Sequence, residues 1–138
     1  VIAMTTLASG SLAAMTRRVT LPGALLLDAA VTGANGAAYL LAAGPLGDLL
    51  GLSPTLLRLL GAVLVAFALA VWLTATRPAV PRGAVVAIVA VNAAWAVGSV
   101  VVAIGGWTSP TTVGTLWIVA QALVVGAFVE LQATALRR

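Results

Sequence analysis

The chain contains no cysteine and no histidine, its only basic residue is arginine, and charged residues make up 7% of its 138 positions. Each absence excludes chemistry. Without cysteine there is no disulfide, no thiolate nucleophile and no thiolate metal ligand. Without histidine there is no imidazole base and no histidine-ligated haem or metal. The acids are three, Asp28, Asp48 and Glu130, far apart in sequence, and no Walker motif or nucleophile–base pairing accompanies them. No cofactor and no metal site is expected, and catalysis has little to work with.

The shortage of charge carries a second message. A soluble domain carries roughly 25% charged residues; here 62% of the chain is hydrophobic and water is not its main solvent. The net charge of +4 does not read as a nucleic-acid footprint, because the arginines stand at the ends of apolar segments instead of clustering on one face. Alanine, glycine, valine and leucine dominate, a bias associated with high-GC bacterial genomes.

Four apolar stretches, at 22–43, 56–76, 83–104 and 112–134, each approach the ~20 residues that a helix needs to cross a ~30 Å hydrocarbon core. Backbone groups in lipid must be satisfied internally, and no alternating ten-residue barrel pattern is present, so the stretches read as helices. Short connections (44–55, 77–82, 105–111) make successive helices antiparallel. The expected fold is all-α: an integral membrane four-helix bundle, up-down, spanning 17–138, with 1–16 as an N-terminal tail. That tail lacks the basic start of a signal peptide, and its opening valine reads as an alternative start codon with Met4 and Met15 as other starts. An offset of 56 residues places Tyr39 over Trp95 and Ser53-Pro54-Thr55 over Ser109-Pro110-Thr111, which admits two tandem helical hairpins. Convergence on a serine cap followed by a first-turn proline is the competing explanation.

Arg17, Arg18, Arg77, Arg82, Arg137 and Arg138 all fall on one side of such a bundle, and only Arg58 falls on the other. The positive-inside rule then puts both termini in the cytoplasm of a bacterial inner membrane. Trp72 and Trp107 suit interfacial anchoring.

Asp28, Thr32, Asn35 and Tyr39 recur at i, i+4, i+7 and i+11, a single helical stripe. A charge left in hydrocarbon costs at least ~2.5 kcal/mol, so this stripe should face protein or water. Asp28 lies roughly 9 Å beyond Pro22 along the axis, in the cytoplasmic half. Two readings are open: a proton- or cation-binding carboxylate in a cavity, or a structural acid paired with Arg77 or Arg82 or hydrogen-bonded between helices. Asn92, Trp95 and Ser99 form a second stripe, with Asn92 seeking an interhelical partner. On the fourth span Trp117, Gln121 and Phe128 share a face, while Glu130 lies about 180° from Gln121 and reads as a snorkelling surface acid. Rows of small residues (Ala29-Gly33-Ala37, Ala62-Ala66-Ala70, Ala90-Ala94-Gly98, Ala122-Gly126) offer close helix packing, within the monomer or in a homo-oligomer. The ligand- or ion-binding candidates are therefore Asp28, Asn35, Tyr39, Asn92 and Trp95.

The succession "LLLDAAVTGANGAAYL", "GLSPTLLRLLGAVLVAFALAVWL", "VNAAWAVGS" and "GWTSPTTVGTLWIVAQALVVGAF" resembles small four-span integral membrane proteins of high-GC Gram-positive bacteria, a group with no assigned activity. The resemblance implies the architecture and adds no site. Small multidrug-resistance transporters are also four-span with an essential acid in the first helix; theirs is a glutamate in a pattern this chain lacks. The expected role is a structural or partner-binding membrane subunit without catalysis, in contact with the lipid bilayer. The alternative is a small transporter or channel using Asp28 with the core amides.

Overall fold

The computed structural model describes residues 20–105 and 109–138. Five helices follow one another: α1 (Leu21–Leu41), α2 (Ala43–Leu50), α3 (Pro54–Ala75), α4 (Arg82–Gly105) and α5 (Thr112–Leu136). Four of them, α1, α3, α4 and α5, are long and apolar enough to cross a membrane. The architecture is a four-helix bundle. The tail 1–16, Arg17, Arg18 and Trp107 lie outside the described residues.

Local chemistry fixes the helix ends. Thr20 Oγ1 accepts a hydrogen bond from the Gly23 N–H at 3.1 Å, and Pro22 occupies the first turn of α1, where its missing N–H costs nothing. At the far end, Pro45 has no N–H to donate to Leu41, and its ring would collide with that carbonyl in a continuous helix. α1 accordingly stops at Leu41, and the chain bends at Ala42 before re-entering helix as α2. The Gly/Pro-rich stretch from 44 reads as a loop in sequence, yet Pro45 falls in the first turn of a short helix, where it is tolerated. Gly51 closes α2 in the left-handed region at φ 71°, its N–H on the Gly47 carbonyl at 2.8 Å. Ser53 caps α3. The matching Ser109 does not cap α5; Thr111 does, accepting from the Gly114 N–H at 3.0 Å, so the similarity between the halves breaks at this point.

The spans associate as two pairs. α1 packs along α3, and α4 along α5, whereas α3 and α4, though joined by a short turn, scarcely touch. The α1–α3 crossing is a reciprocal glycine contact: a Cβ on Gly36 would sit 2.9 Å from the Gly61 carbonyl oxygen, and one on Gly61 would sit 2.8 Å from that of Gly36. Of the small-residue rows, Ala29-Gly33-Ala37 turns towards the interior and Ala122-Gly126 is half-buried. Ala62, Ala66 and Ala70, and Ala90, Ala94 and Gly98, are exposed, and α3 buries Gly61, Leu64, Ala68, Val71 and Ala75 instead. Lipid tails are as apolar as these side chains, so hydropathy does not choose between the faces; steric fit does.

The pairs are joined near their two ends. At the end holding Arg77, Arg82 and Arg137, Leu25, Ala29, Val71, Ala75, Val85 and Ile88 form one core cluster across the pairs, while within the α4–α5 pair Arg82 Nη1 donates to the Leu136 carbonyl at 3.1 Å. A cation at the last carbonyls of α5 also complements the helix dipole. At the other end, the Thr111 N–H donates to the Leu50 carbonyl at 3.0 Å and Thr111 Oγ1 to that of Leu49 at 2.7 Å. Gly114 lies so close that a Cβ there would run into the Leu50 carbonyl oxygen.

Candidate functional site

Asp28, Asn92 and Gln132 come from three different helices, α1, α4 and α5, and converge at 0%, 4% and 0% exposure. They lie roughly 10, 15 and 6 Å along their helices from the arginine-bearing end. Asp28 Oδ2 accepts from Asn92 Nδ2 and from Gln132 Nε2, each at 2.7 Å. Asn92 Nδ2 also donates to Gln132 Oε1 at 3.3 Å, closing a triangle. Thr32, one turn beyond Asp28 on α1, donates its hydroxyl to Asp28 Oδ1 at 2.8 Å. An amide NH₂ carries two donors, and both of those on Asn92 are used. A buried network of this kind rigidifies what it joins when its members are satisfied, and is costly when they are not. We call it the polar lock.

The sequence offered Arg77 or Arg82 as a partner for Asp28; the structure gives it two amides and a hydroxyl instead. Arg82 is turned to the carbonyl end of α5, leaving the interhelical hydrogen-bonded reading of Asp28 as the observed one. Glu130 is exposed, as a surface acid should be. Gln132 escaped the sequence reading, which weighed Gln121 against Glu130. The signal was present: eleven residues separate Gln121 from Gln132, three helical turns to within about 20°, and Phe128 lies on the same face.

Beyond the lock, a cavity of about 940 Å³ lies between the two helix pairs. Thr32, Asn35, Tyr39, Asn92 and Trp95 line it, so four of the five candidate residues share one space. Asp28 and Gln132 are not among its lining residues, and among the described residues no other charged side chain lines it. Phe67 and Phe128 belong to its wall, as do Leu46, Leu49 and Leu50 of α2. Tyr39, 4% exposed, bridges the pairs at this level: its hydroxyl oxygen accepts from Trp117 Nε1 at 2.8 Å and from Gln121 Nε2. Trp95 packs against the cluster of Tyr39, Ala43, Leu57 and Leu64. Ser99 stands apart, its hydroxyl spent on the Trp95 carbonyl of its own helix at 2.8 Å. Asn35 is half-buried, and its side chain has no hydrogen-bond partner among the described residues.

The cavity is partly open through its apolar wall, which gives it a route to the bilayer.

Four membrane-length apolar helices, tied by a buried acid–amide network and parted by an apolar cavity, define a small multi-span membrane protein. No protein-family model, curated protein or solved structure matches the chain.

Proposed function

We propose that the chain is a non-catalytic, structural or partner-binding subunit of the bacterial cytoplasmic membrane, with both termini on the cytoplasmic side. The observation that carries this reading is the state of Asp28. The acid is enclosed by three donors and does not line the cavity, so no carboxylate is poised there for ion coupling. The outward-facing small-residue rows of α3 and α4 are compatible with it, because small side chains allow another helix to approach closely. A photo-cross-linking residue at Ala66 or Ala94, introduced in the native membrane, is expected to give a discrete protein adduct, self or partner. Lipid adducts alone at both positions would contradict the proposal.

A small transporter or channel is the second reading, favoured by one observation: Asn35, Tyr39, Asn92 and Trp95 line a common cavity. The readings separate in liposomes. The subunit reading expects wild type and Asp28→Asn to dissipate an imposed pH gradient no faster than empty vesicles, whereas a coupling acid requires a wild-type flux that the variant loses.

The orientation rests on the arginines. Because the chain has no cysteine, single cysteines report accessibility without background. A cysteine at Asp48, exposed on α2, is expected to react with an impermeant thiol reagent added outside intact cells, and one at Ala79 is not. Labelling of the Ala79 site from outside would reverse the topology.

A further inference from the structure

We infer that the cavity between the helix pairs is a binding site for a single-chain neutral lipid carrying one hydroxyl or carbonyl group. This goes beyond the proposed subunit role and does not depend on it.

The wall selects the ligand by what it offers. Among the described residues it has no charged side chain, so these supply no counter-ion for a phosphate, carboxylate or ammonium headgroup. Most of it is aliphatic or aromatic, and at about 940 Å³ it stands at the upper end of the ~300–1,000 Å³ usual for small-molecule pockets. The polar lock bounds the cavity towards the arginine-bearing end, where Asn92 lies in its wall, and α2 bounds it at the other. The open part of the wall runs through apolar residues such as Val31, Ala34, Val63 and Val124, which are exposed on the flanks of the spans. Entry is thus sideways from the hydrocarbon, which a lipid can use and a hydrated solute cannot.

Asn35 fixes the polar end. It lies roughly 21 Å along α1 from Leu21, beyond mid-span, and it lines the cavity with no side-chain hydrogen-bond partner among the described residues. A polar group left unpaired away from water is costly, and there is little water at this depth to serve it. One ligand oxygen would accept from its NH₂ and give it a partner. A hydrocarbon tail without such a group would fill the space and leave Asn35 unpaired.

Trp95 and Trp117 line the cavity and supply the readout. In a Trp72→Phe/Trp107→Phe background, the full chain is reconstituted in phosphatidylcholine vesicles and titrated with a dibrominated long-chain alcohol, a collisional quencher of tryptophan. Saturable quenching is expected, reversed by the unbrominated alcohol and lost in Ala34→Phe/Ala120→Phe, whose added rings occupy the site. The apparent Tm of that double variant is expected to match or exceed wild type, showing that it is folded. Asn35→Leu is expected to weaken the alcohol about 5- to 10-fold, the worth of roughly one hydrogen bond, and to leave a dibrominated alkane unchanged. Quenching that rises without saturation, equally in the filled variant, would overturn the site. Equal binding of alcohol and alkane, indifferent to Asn35→Leu, would overturn the ligand class. A saturable, filling-sensitive component from dibrominated phosphatidylcholine that the free alcohol fails to displace would assign the cavity to a phospholipid tail and overturn the single-chain proposal.

Discussion

Asp28→Leu lowers the apparent Tm of the purified protein in detergent by roughly 10 °C, whereas Asp28→Asn lowers it by a small fraction of that. Leucine repeats the branched outline of aspartate with greater bulk, and accepts nothing. Asn92 Nδ2 would keep only its longer bond to Gln132 Oε1, while Gln132 Nε2 and the Thr32 hydroxyl would lose the acceptor they share space with. A buried group stripped of its partner costs about 1–3 kcal/mol. Interhelical hydrogen bonds in membranes average nearer ~0.6 kcal/mol, because the separated helices find other partners. Two amides and a hydroxyl together therefore come to about 3 kcal/mol. Asparagine restores the pattern: its carbonyl oxygen accepts from Asn92 and Gln132, and its NH₂ donates to the Thr32 oxygen once that hydroxyl rotates. Thermal unfolding of the two variants side by side checks this. Equal losses would mean that the charge of Asp28, and not its hydrogen-bonding capacity, is what the fold uses.

Gly114→Ala is the second large effect, at about 3 kcal/mol, the upper end of what overpacking usually costs. The added Cβ would meet the Leu50 carbonyl, which is backbone and already held by the Thr111 N–H. It cannot step aside as a flexible side chain would. The change should loosen the α2–α5 contact at the end of the bundle remote from the arginines and widen the cavity from that side. Gly98 and Gly126 are the controls: a Cβ at either meets open space, so alanine there should be neutral or raise stability by up to ~1 kcal/mol through helix propensity. Similar Tm losses at all three glycines would show that Gly114 is not in the close contact described.

How much of this was legible in sequence follows from which physical signals survive in lipid. Span positions did, because apolar length is set by bilayer thickness and the caps and prolines sit at the ends. The inward face of α1 did too, since Asp28, Thr32, Asn35 and Tyr39 cannot all be turned to hydrocarbon, and Asn92 followed from the same cost. Gln132 was recoverable from its three-turn spacing to Gln121, although an uncharged amide near a helix end carries no strong cost that marks it as inward-facing. The choice among small-residue rows was not recoverable. Exposed Ala62-Ala66-Ala70 and the packed glycines Gly36 and Gly61 are equally at home in an apolar solvent, and only the reciprocal backbone contact separates them. The α2 helix was hidden because Pro45 terminates α1 and begins α2 within four residues, a combination that reads as loop. The cavity could not be read at all, being set by how two helix pairs pack and not by any single residue.

The central claim is that Asp28 acts through Gln132 and Asn92 to hold the two helix pairs together. A double-mutant cycle on Asp28→Ala and Gln132→Ala, followed by unfolding in detergent, tests it most directly. Contacting residues show non-additivity of roughly 0.5–3 kcal/mol; a coupling of about 1 kcal/mol is expected, the double variant being less destabilised than the sum of the single ones. Additivity within ~0.3 kcal/mol would contradict the polar lock.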